Sequence, residues 1–151
     1  MDSTPLVPEA FAVPDGLRSE QFVIEPLDVR HNAADRAAWT SSIDHIRATP
    51  GFAGRSWPEQ PMSMEDNAAD LAQHARDFAS RTGFTYTVLD PASGDVIGCV
   101  YFYPPRRSGY DVDVRSWVRA DRATLDKPLH DLVRRWLAEA WPFQRPDYAE
   151  R

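Results

Sequence analysis

The chain has 151 residues, of which 42% are hydrophobic and five are Trp, so it is long enough to bury one sizeable core. A formal net charge of -6 argues against general nucleic-acid binding, and the single Cys99 excludes an internal disulfide. There is no apolar run of membrane-spanning length, no signal-peptide pattern and no metal-ligand spacing, so we expect a cytoplasmic protein without a membrane or metal partner.

The N-terminal segment predicts a tail ahead of one domain. Residues 1–19 combine Pro5, Pro8 and Pro14 with no helical or strand periodicity, a composition typical of flexible chain. The apolar side chains of this segment leave open the alternative that it packs across a neighbouring subunit. We therefore expect a flexible N-terminal tail over 1–19 and a single domain over 20–151.

A strand and a helix should open the domain. The run Phe22–Leu27 is rich in strand-forming residues, and Pro26 marks it as an edge strand or as the end of a strand. Asn32 is a suitable N-cap for a helix that follows. Apolar residues recur at helical spacing along this helix, namely Trp39, Ile43 and Ile46.

A loop rich in Pro and Gly follows over residues 49–61 and carries two aromatic residues, Phe52 and Trp57. Loops held by a rigid scaffold often carry binding residues, so one interpretation assigns Phe52 and Trp57 to a substrate cleft. The other interpretation is that the two rings fill the end of a core.

The next helix has the clearest signal in the sequence. Ser63 provides an N-cap with Asp66 three residues later, and Gly83 should end the helix. Apolar residues spaced by four and three positions predict one buried side, formed by Met64, Ala68, Leu71, Ala75 and Phe78.

Two strands and a tight connection come next. The runs Phe84–Leu89 and Val96–Tyr103 have strand composition, and Asp90–Gly94 has the composition of a hairpin loop. The two strands should therefore pair antiparallel. Gly98 interrupts the second strand, which indicates a bulge or a close backbone approach.

A strand, a polar turn and an amphipathic helix complete the chain. Along the strand from Asp111 to Arg119, alternate residues should point to a core face and to a chemically mixed face. The helix should begin near Lys127, with Pro128 tolerated in its first turn, and end before Pro142. Residues 143–148 should add a short terminal strand.

This order of elements resembles the GNAT superfamily of acetyl-CoA-dependent N-acetyltransferases over most of residues 18–148. Three local phrases carry the likeness: RSEQFVIEPLD at the first strand, GDVIGCVYFYP with its inserted glycine, and VRSWVRADR where a cofactor strand enters a loop. The resemblance implies an α+β fold in which three main helices pack on a central, mixed and mostly antiparallel sheet.

The same resemblance implies an acetyl-CoA-dependent N-acetyltransferase that acts on a small-molecule amine or a protein amine. The amine would enter over the loop that carries Phe52 and Trp57. Asp113 would take the amine proton as general base, and Tyr148 would protonate the leaving thiolate. The implied cofactor contacts are Ser116, Trp117, Val118, Arg119, Arg122, Thr124 and Lys127.

The turn before the last helix departs from the glycine-rich family pattern. It is written Ala123–Pro128, and Asp126 stands where a glycine is expected. Asp126 brings a negative charge towards a pyrophosphate, and Pro128 removes an N–H donor. These two residues leave open a second function, a non-catalytic GNAT-like binding or assembly module that has lost acetyl-CoA binding. A truncated sheet end and the apolar tail favour a homodimer.

Overall fold

Six strands form one sheet in chain order, and four helices pack against it. The computed structural model describes residues 5–151. The strands are β1 Leu17–Arg18, β2 Val23–Pro26, β3 Phe84–Leu89, β4 Val96–Tyr103, β5 Val112–Val118 and β6 Pro146–Tyr148. The helices are α1 Asn32–Thr40, α2 Ile43–Ala48, α3 Met64–Ser80 and α4 Asp126–Ala140. Within residues 5–151, no helix combines the length and the apolarity of a membrane span.

The pairing of the strands confirms the predicted mixed sheet. Neighbours from β1 to β5 are antiparallel, whereas β5 and β6 are parallel. The parallel pair follows from the α4 crossover, because a parallel connection needs a long segment to return the chain to the same end of the sheet. This confirms an α+β fold with a mostly antiparallel sheet.

The two faces of β5 belong to different cores, as the alternation of its side chains predicts. Val112, Val114 and Val118 pack in the core that α4 covers. Trp117 points to the other side and packs in a second core with residues of α1, α2 and α3. β5 therefore contributes side chains to both cores, and it leads into the predicted cofactor turn.

Helix α3 begins where its N-cap predicts. The hydroxyl oxygen of Ser63 accepts a hydrogen bond from the Asp66 N–H at 3.0 Å. The helix ends earlier than expected, because Arg81, and not Gly83, adopts the left-handed conformation of the C-cap, with φ of 64°. The buried side predicted for this helix also begins later than expected, since Met64 is exposed.

The first predicted helix is two helices in the structure. α1 ends at Thr40 and α2 begins at Ile43, because Ser42 leaves helical geometry with φ of -133°. The Ser42 hydroxyl accepts a hydrogen bond from the Ala120 N–H at 2.8 Å. The break therefore connects the helical layer to the end of β5. Two other boundaries shift as well, with α4 beginning at Asp126 and β6 limited to Pro146–Tyr148.

The described part of the N-terminal segment packs on the core. Val7 is 3% exposed, and the ring of Phe11 lies 5.5 Å from that of Trp141. Leu17–Arg18 adds the strand β1, which the sequence pattern does not predict. Residues 1–4 of the predicted tail lie outside the described residues.

Gly98 allows β4 and β5 to approach closely, as predicted. A Cβ atom at this position would lie 2.5 Å from the backbone oxygen of Trp117. We expect Gly98→Ala to lower the free energy of unfolding by about 1–3 kcal/mol, since a buried backbone atom has little room to move. Urea unfolding followed by tryptophan fluorescence measures this change. An unchanged midpoint would contradict the close approach.

Candidate functional site

Strands β5 and β6 separate at their C-terminal ends. Their last residue pair joins Val114 and Tyr148. Just beyond it, the hydroxyl oxygens of Ser116 and Tyr148 lie 2.5 Å apart. Burial raises the pKa of the Tyr148 phenol above its ordinary value. The structure therefore brings two of the predicted site residues into contact where the strands diverge, with the phenol protonated at neutral pH.

Arg151 fills the gap between the separated strands. Its side chain is 4% exposed, and its Nη2 donates to the backbone oxygen of Ser116 at 2.8 Å. Its Nε donates to the Asp126 carboxylate at 2.6 Å, and its Nη1 donates to the Ala149 carbonyl at 3.0 Å. One guanidinium thus donates hydrogen bonds both to the Ser116 carbonyl of β5 and to the Asp126 carboxylate at the start of α4. We call this arrangement the Arg151–Asp126 latch.

The turn between β5 and α4 is 3-10 helical over Ala120–Leu125, with a kink at Arg122, whose φ is -122°. The Arg122 N–H donates to the Arg119 carbonyl, and the Asp126 N–H donates to the Ala123 carbonyl. These two N–H groups are therefore not available to an anion. Thr124, which the resemblance placed among the cofactor contacts, is exposed on this turn.

The three predicted phosphate-binding cations each have a carboxylate partner. Arg119 pairs with Asp121 at 2.8 Å, and Arg122 pairs with Asp90 at 2.8 Å. Lys127 lies 3.3 Å from a carboxylate one helical turn along α4, that of Asp131. These ion pairs neutralise the charges that would offset Asp126.

The residues of this turn do not fit the pyrophosphate of acetyl-CoA. The second carboxylate oxygen of Asp126, Oδ1, is buried and has no hydrogen-bond partner among residues 5–151. A phosphate at the start of α4 would have to displace Arg151 from Asp126, and without that cation the carboxylate would repel the phosphate at short range. The latch also holds the Ser116 carbonyl, which a cofactor arm would need.

Asp113 lies in an ion-pair cluster. It is 4% exposed, and both of its carboxylate oxygens accept from Arg55 Nη2, at 3.1 and 3.2 Å. Arg115 Nε lies 3.5 Å from the same carboxylate. The structure therefore places the predicted general base between the guanidinium groups of Arg55 and Arg115. Arg115 also lines the cavity described next.

A cavity of about 230 Å³ lies on the face of the sheet opposite to α4. We call it the aromatic cavity. It is lined by side chains from the end of β2, from α1, α3 and the 49–61 loop, and from strands β4 and β5. These are Leu27, Asp35, Trp39, Trp57, Asp70, Leu71, His74, Tyr101 and Arg115. Trp57 lies in its wall. The buried ring of Phe52 packs behind Trp57, at 6.2 Å.

The aromatic cavity contains charges of both signs. Asp35 is 5% exposed, and burial raises the pKa of its carboxyl to about 6. The nearby Asp70 acts in the same direction, while a hydrogen bond from Asn67 at 3.2 Å opposes the shift. Arg115 supplies a guanidinium that lies 4.8 Å from the centre of the Tyr101 ring. A carboxylate pair and a guanidinium therefore face one small cavity.

His74 links the aromatic cavity to a buried polar chain. Its Nδ1 lies 2.9 Å from the hydroxyl of Tyr103, which donates to Asp77 at 2.8 Å. Its Nε2 lies 3.7 Å from the Asp70 carboxylate. Burial lowers the pKa of His74, so the ring is neutral at neutral pH.

Sequence patterns did not identify Asp35, His74 or Arg151 as site residues. Asp35 has the pattern of a first-turn acid of α1, and His74 lies between the apolar positions of α3. The sequence signal that was available for Asp35 is its position one helical turn before Trp39 on the same helix. Arg151 carries no local signal, because its partner Asp126 is 25 residues away in the chain.

Known structures with the same fold are numerous, although neither a family model nor a curated protein sequence matches the chain. The ribosomal-protein-S5-alanine acetyltransferase from Vibrio fischeri is 14% identical with a TM-score of 0.63, over 83% of this chain and 68% of that one. The microcin C7 self-immunity acetyltransferase MccE, solved with acetyl-CoA and AMP, is 11% identical with a TM-score of 0.60, over 85% and 71%.

A third neighbour is apo FdhC, a nucleotide-linked sugar GNAT, at 8% identity and a TM-score of 0.61, over 90% of this chain and 72% of that one. Identities this low establish a shared fold and leave activity to be argued from the site itself. The sheet order, the parallel β5–β6 pair and these neighbours agree. The chain therefore has the fold of the GNAT superfamily of acyl-CoA N-acyltransferases.

Proposed function

We propose that this chain is a small-ligand-binding protein built on the GNAT fold, with the aromatic cavity as its site. The observation that carries the proposal is the Arg151–Asp126 latch, which occupies the strand carbonyl and the helix start that a cofactor would use. The three nearby cations are each paired with a carboxylate, which leaves the turn without an excess of positive charge for a pyrophosphate.

The aromatic cavity has the features of a binding site. Trp39 and Trp57 form part of its wall, with ring centroids 5.4 Å apart, and Tyr101 lies 6.4 Å from Trp57. Pockets for small molecules are typically lined by apolar and aromatic groups with a few placed polar groups that fix orientation. Here Asp35 is 5% exposed and the Arg115 side chain is 18% exposed, and a buried charge without a full set of partners favours binding of a complementary group.

Calorimetric titration with acetyl-CoA tests the closed turn. We expect no heat of binding from the unmodified chain up to about 1 mM cofactor, which limits the binding free energy to about -4 kcal/mol or weaker. The matched variants are Arg151→Ala and Asp126→Gly. Arg151→Ala opens the gap between β5 and β6, and Asp126→Gly removes both the partner of Arg151 and the negative charge at the start of α4. A micromolar dissociation constant for the unmodified chain would overturn the proposal.

A second candidate function is acetyl transfer to an amine, and one observation favours it. The pairing of β5 and β6 ends at Tyr148, whose protonated phenol is the group nearest to a leaving thiolate in this arrangement, although burial makes it a weaker acid. This function requires that Arg151 leave its present position. The two functions differ in outcome: for an enzyme, Asp126→Gly should tighten acetyl-CoA binding and allow thiol release when an amine is supplied, whereas a binding protein releases no thiol in either form.

A further inference from the structure

We infer that the aromatic cavity binds a zwitterion of amino-acid size, with its ammonium group beside Asp35 and its carboxylate on Arg115. The inference rests on the proposed function, since it names the ligand class of the same cavity. Its basis is the placement of opposite charges in one cavity with aromatic walls.

The Asp35 end of the cavity fits an ammonium group. Its carboxylate is 5% exposed and accepts one hydrogen bond, from Asn67, among the contacts of residues 5–151. Asp70 adds a second negative charge at this end. The rings of Trp39 and Trp57, tilted by 53° to each other, lie beside it in the same wall. Aromatic faces attract a cation, and the attraction grows when the site is shielded from water.

The Arg115 end of the cavity fits a carboxylate. The guanidinium is 18% exposed, and its Nε is buried without a hydrogen-bond partner among the described residues. Asp113, the nearest carboxylate, is already held by two short contacts from Arg55, and Arg115 lies farther from it, at 3.5 Å. The buried Nε faces Asp113, so the two Nη atoms of Arg115 are the donors that remain for a ligand carboxylate, which a guanidinium binds with two parallel hydrogen bonds.

The size of the cavity limits the size of the ligand. Tyr101 lines the cavity together with Asp35 and Arg115, and the Arg115 guanidinium lies 4.8 Å from the centre of its ring. The volume of about 230 Å³ is below the ~300–1,000 Å³ of pockets for drug-sized molecules. A free amino acid with an apolar side chain has the two charges and the size that this cavity can accommodate, and its side chain can contact the aromatic walls.

Three matched probes test the ligand class by calorimetry at pH 7.5: L-phenylalanine, phenethylamine, which lacks the carboxylate, and 3-phenylpropanoate, which lacks the ammonium. We expect phenylalanine to bind at least about tenfold more tightly than either one-ended probe. Asp35→Asn should weaken phenylalanine and leave 3-phenylpropanoate unchanged. Arg115→Gln should weaken phenylalanine and leave phenethylamine unchanged.

The controls separate charge from folding. Asp44→Asn and Arg106→Gln change exposed residues outside the cavity and should leave all three affinities unchanged. If Arg115→Gln does not fold, judged by circular dichroism, Arg115→Lys keeps the charge but loses the paired donors. It should weaken phenylalanine and 3-phenylpropanoate and leave phenethylamine unchanged.

Each outcome decides between classes of ligand. Phenethylamine binding as tightly as phenylalanine would replace the zwitterion with a simple cation, and equally tight 3-phenylpropanoate would replace it with an anion. Either result overturns the inference and leaves a small-ligand protein. Binding of none of the three probes also overturns the zwitterion, while the acetyl-CoA titration decides the proposed function separately.

Discussion

Arg151→Ala is expected to lower the free energy of unfolding by about 3–5 kcal/mol, because it leaves the Asp126 carboxylate partly buried without its cation. The ion pair itself is no strong source of stability, since burying both charges removes them from water. The free energy of unfolding falls because the variant breaks the pair and keeps the charge of Asp126. Urea unfolding at neutral pH, followed by tryptophan fluorescence, measures the change.

A surface ion pair of similar length is the matched control. Arg134 lies 2.7 Å from Glu150, and the two side chains are 53% and 79% exposed, so Arg134→Ala should shift the unfolding midpoint very little. Adding Asp126→Ala to Arg151→Ala should restore part of the lost stability, because no unpaired charge then remains. If Arg151→Ala behaves like Arg134→Ala, the latch does not hold the gap between β5 and β6 closed.

The fold was largely predictable because its signals are local. The alternation of β5 sends Val114 and Trp117 to opposite cores, and the Ser63 N-cap places the start of α3. The break between α1 and α2 was not predictable, since Ser42 is drawn out of the helix by a hydrogen bond to Ala120, far along the chain. Periodicity reports neighbours along an element and not partners across the fold.

The site was predictable only in part for the same reason. Asp126 was identified as a residue that opposes a pyrophosphate, and the structure places it at the start of α4. Its partner Arg151 had no pattern to reveal it. Asp35 and Arg115 lie on different elements, α1 and β5, and only the packing of those elements on one face of the sheet brings them to the same cavity.

Asp35→Asn is expected to stabilise the protein at pH 7.5 by an amount on the order of 3 kcal/mol. Burial raises the pKa of Asp35 from 3.8 to about 6, so the folded state binds its proton more tightly than the unfolded state does. Stability from this group is therefore complete below pH 3.8 and is lost as the pH rises towards 6. The uncharged amide has no such loss.

The pH dependence distinguishes this effect from a general gain in packing. Other ionisable side chains line the cavity, including Asp70 and His74. The difference in unfolding free energy between the unmodified chain and Asp35→Asn removes most of their contribution. That difference should be small near pH 4 and should grow until the pH exceeds 6. The exposed Asp44→Asn should show no such growth, and a constant difference across the range would contradict a raised pKa for Asp35.

A carboxylate that destabilises the folded chain at neutral pH is easiest to explain by what it binds. An ammonium group beside Asp35 would favour the ionised carboxylate and lower its pKa towards the ordinary range. Saturating phenylalanine should therefore reduce the advantage of Asp35→Asn at pH 7.5, since the ligand stabilises the unmodified chain more than the variant. If the advantage is unchanged by a ligand that binds, the ammonium group does not lie at Asp35.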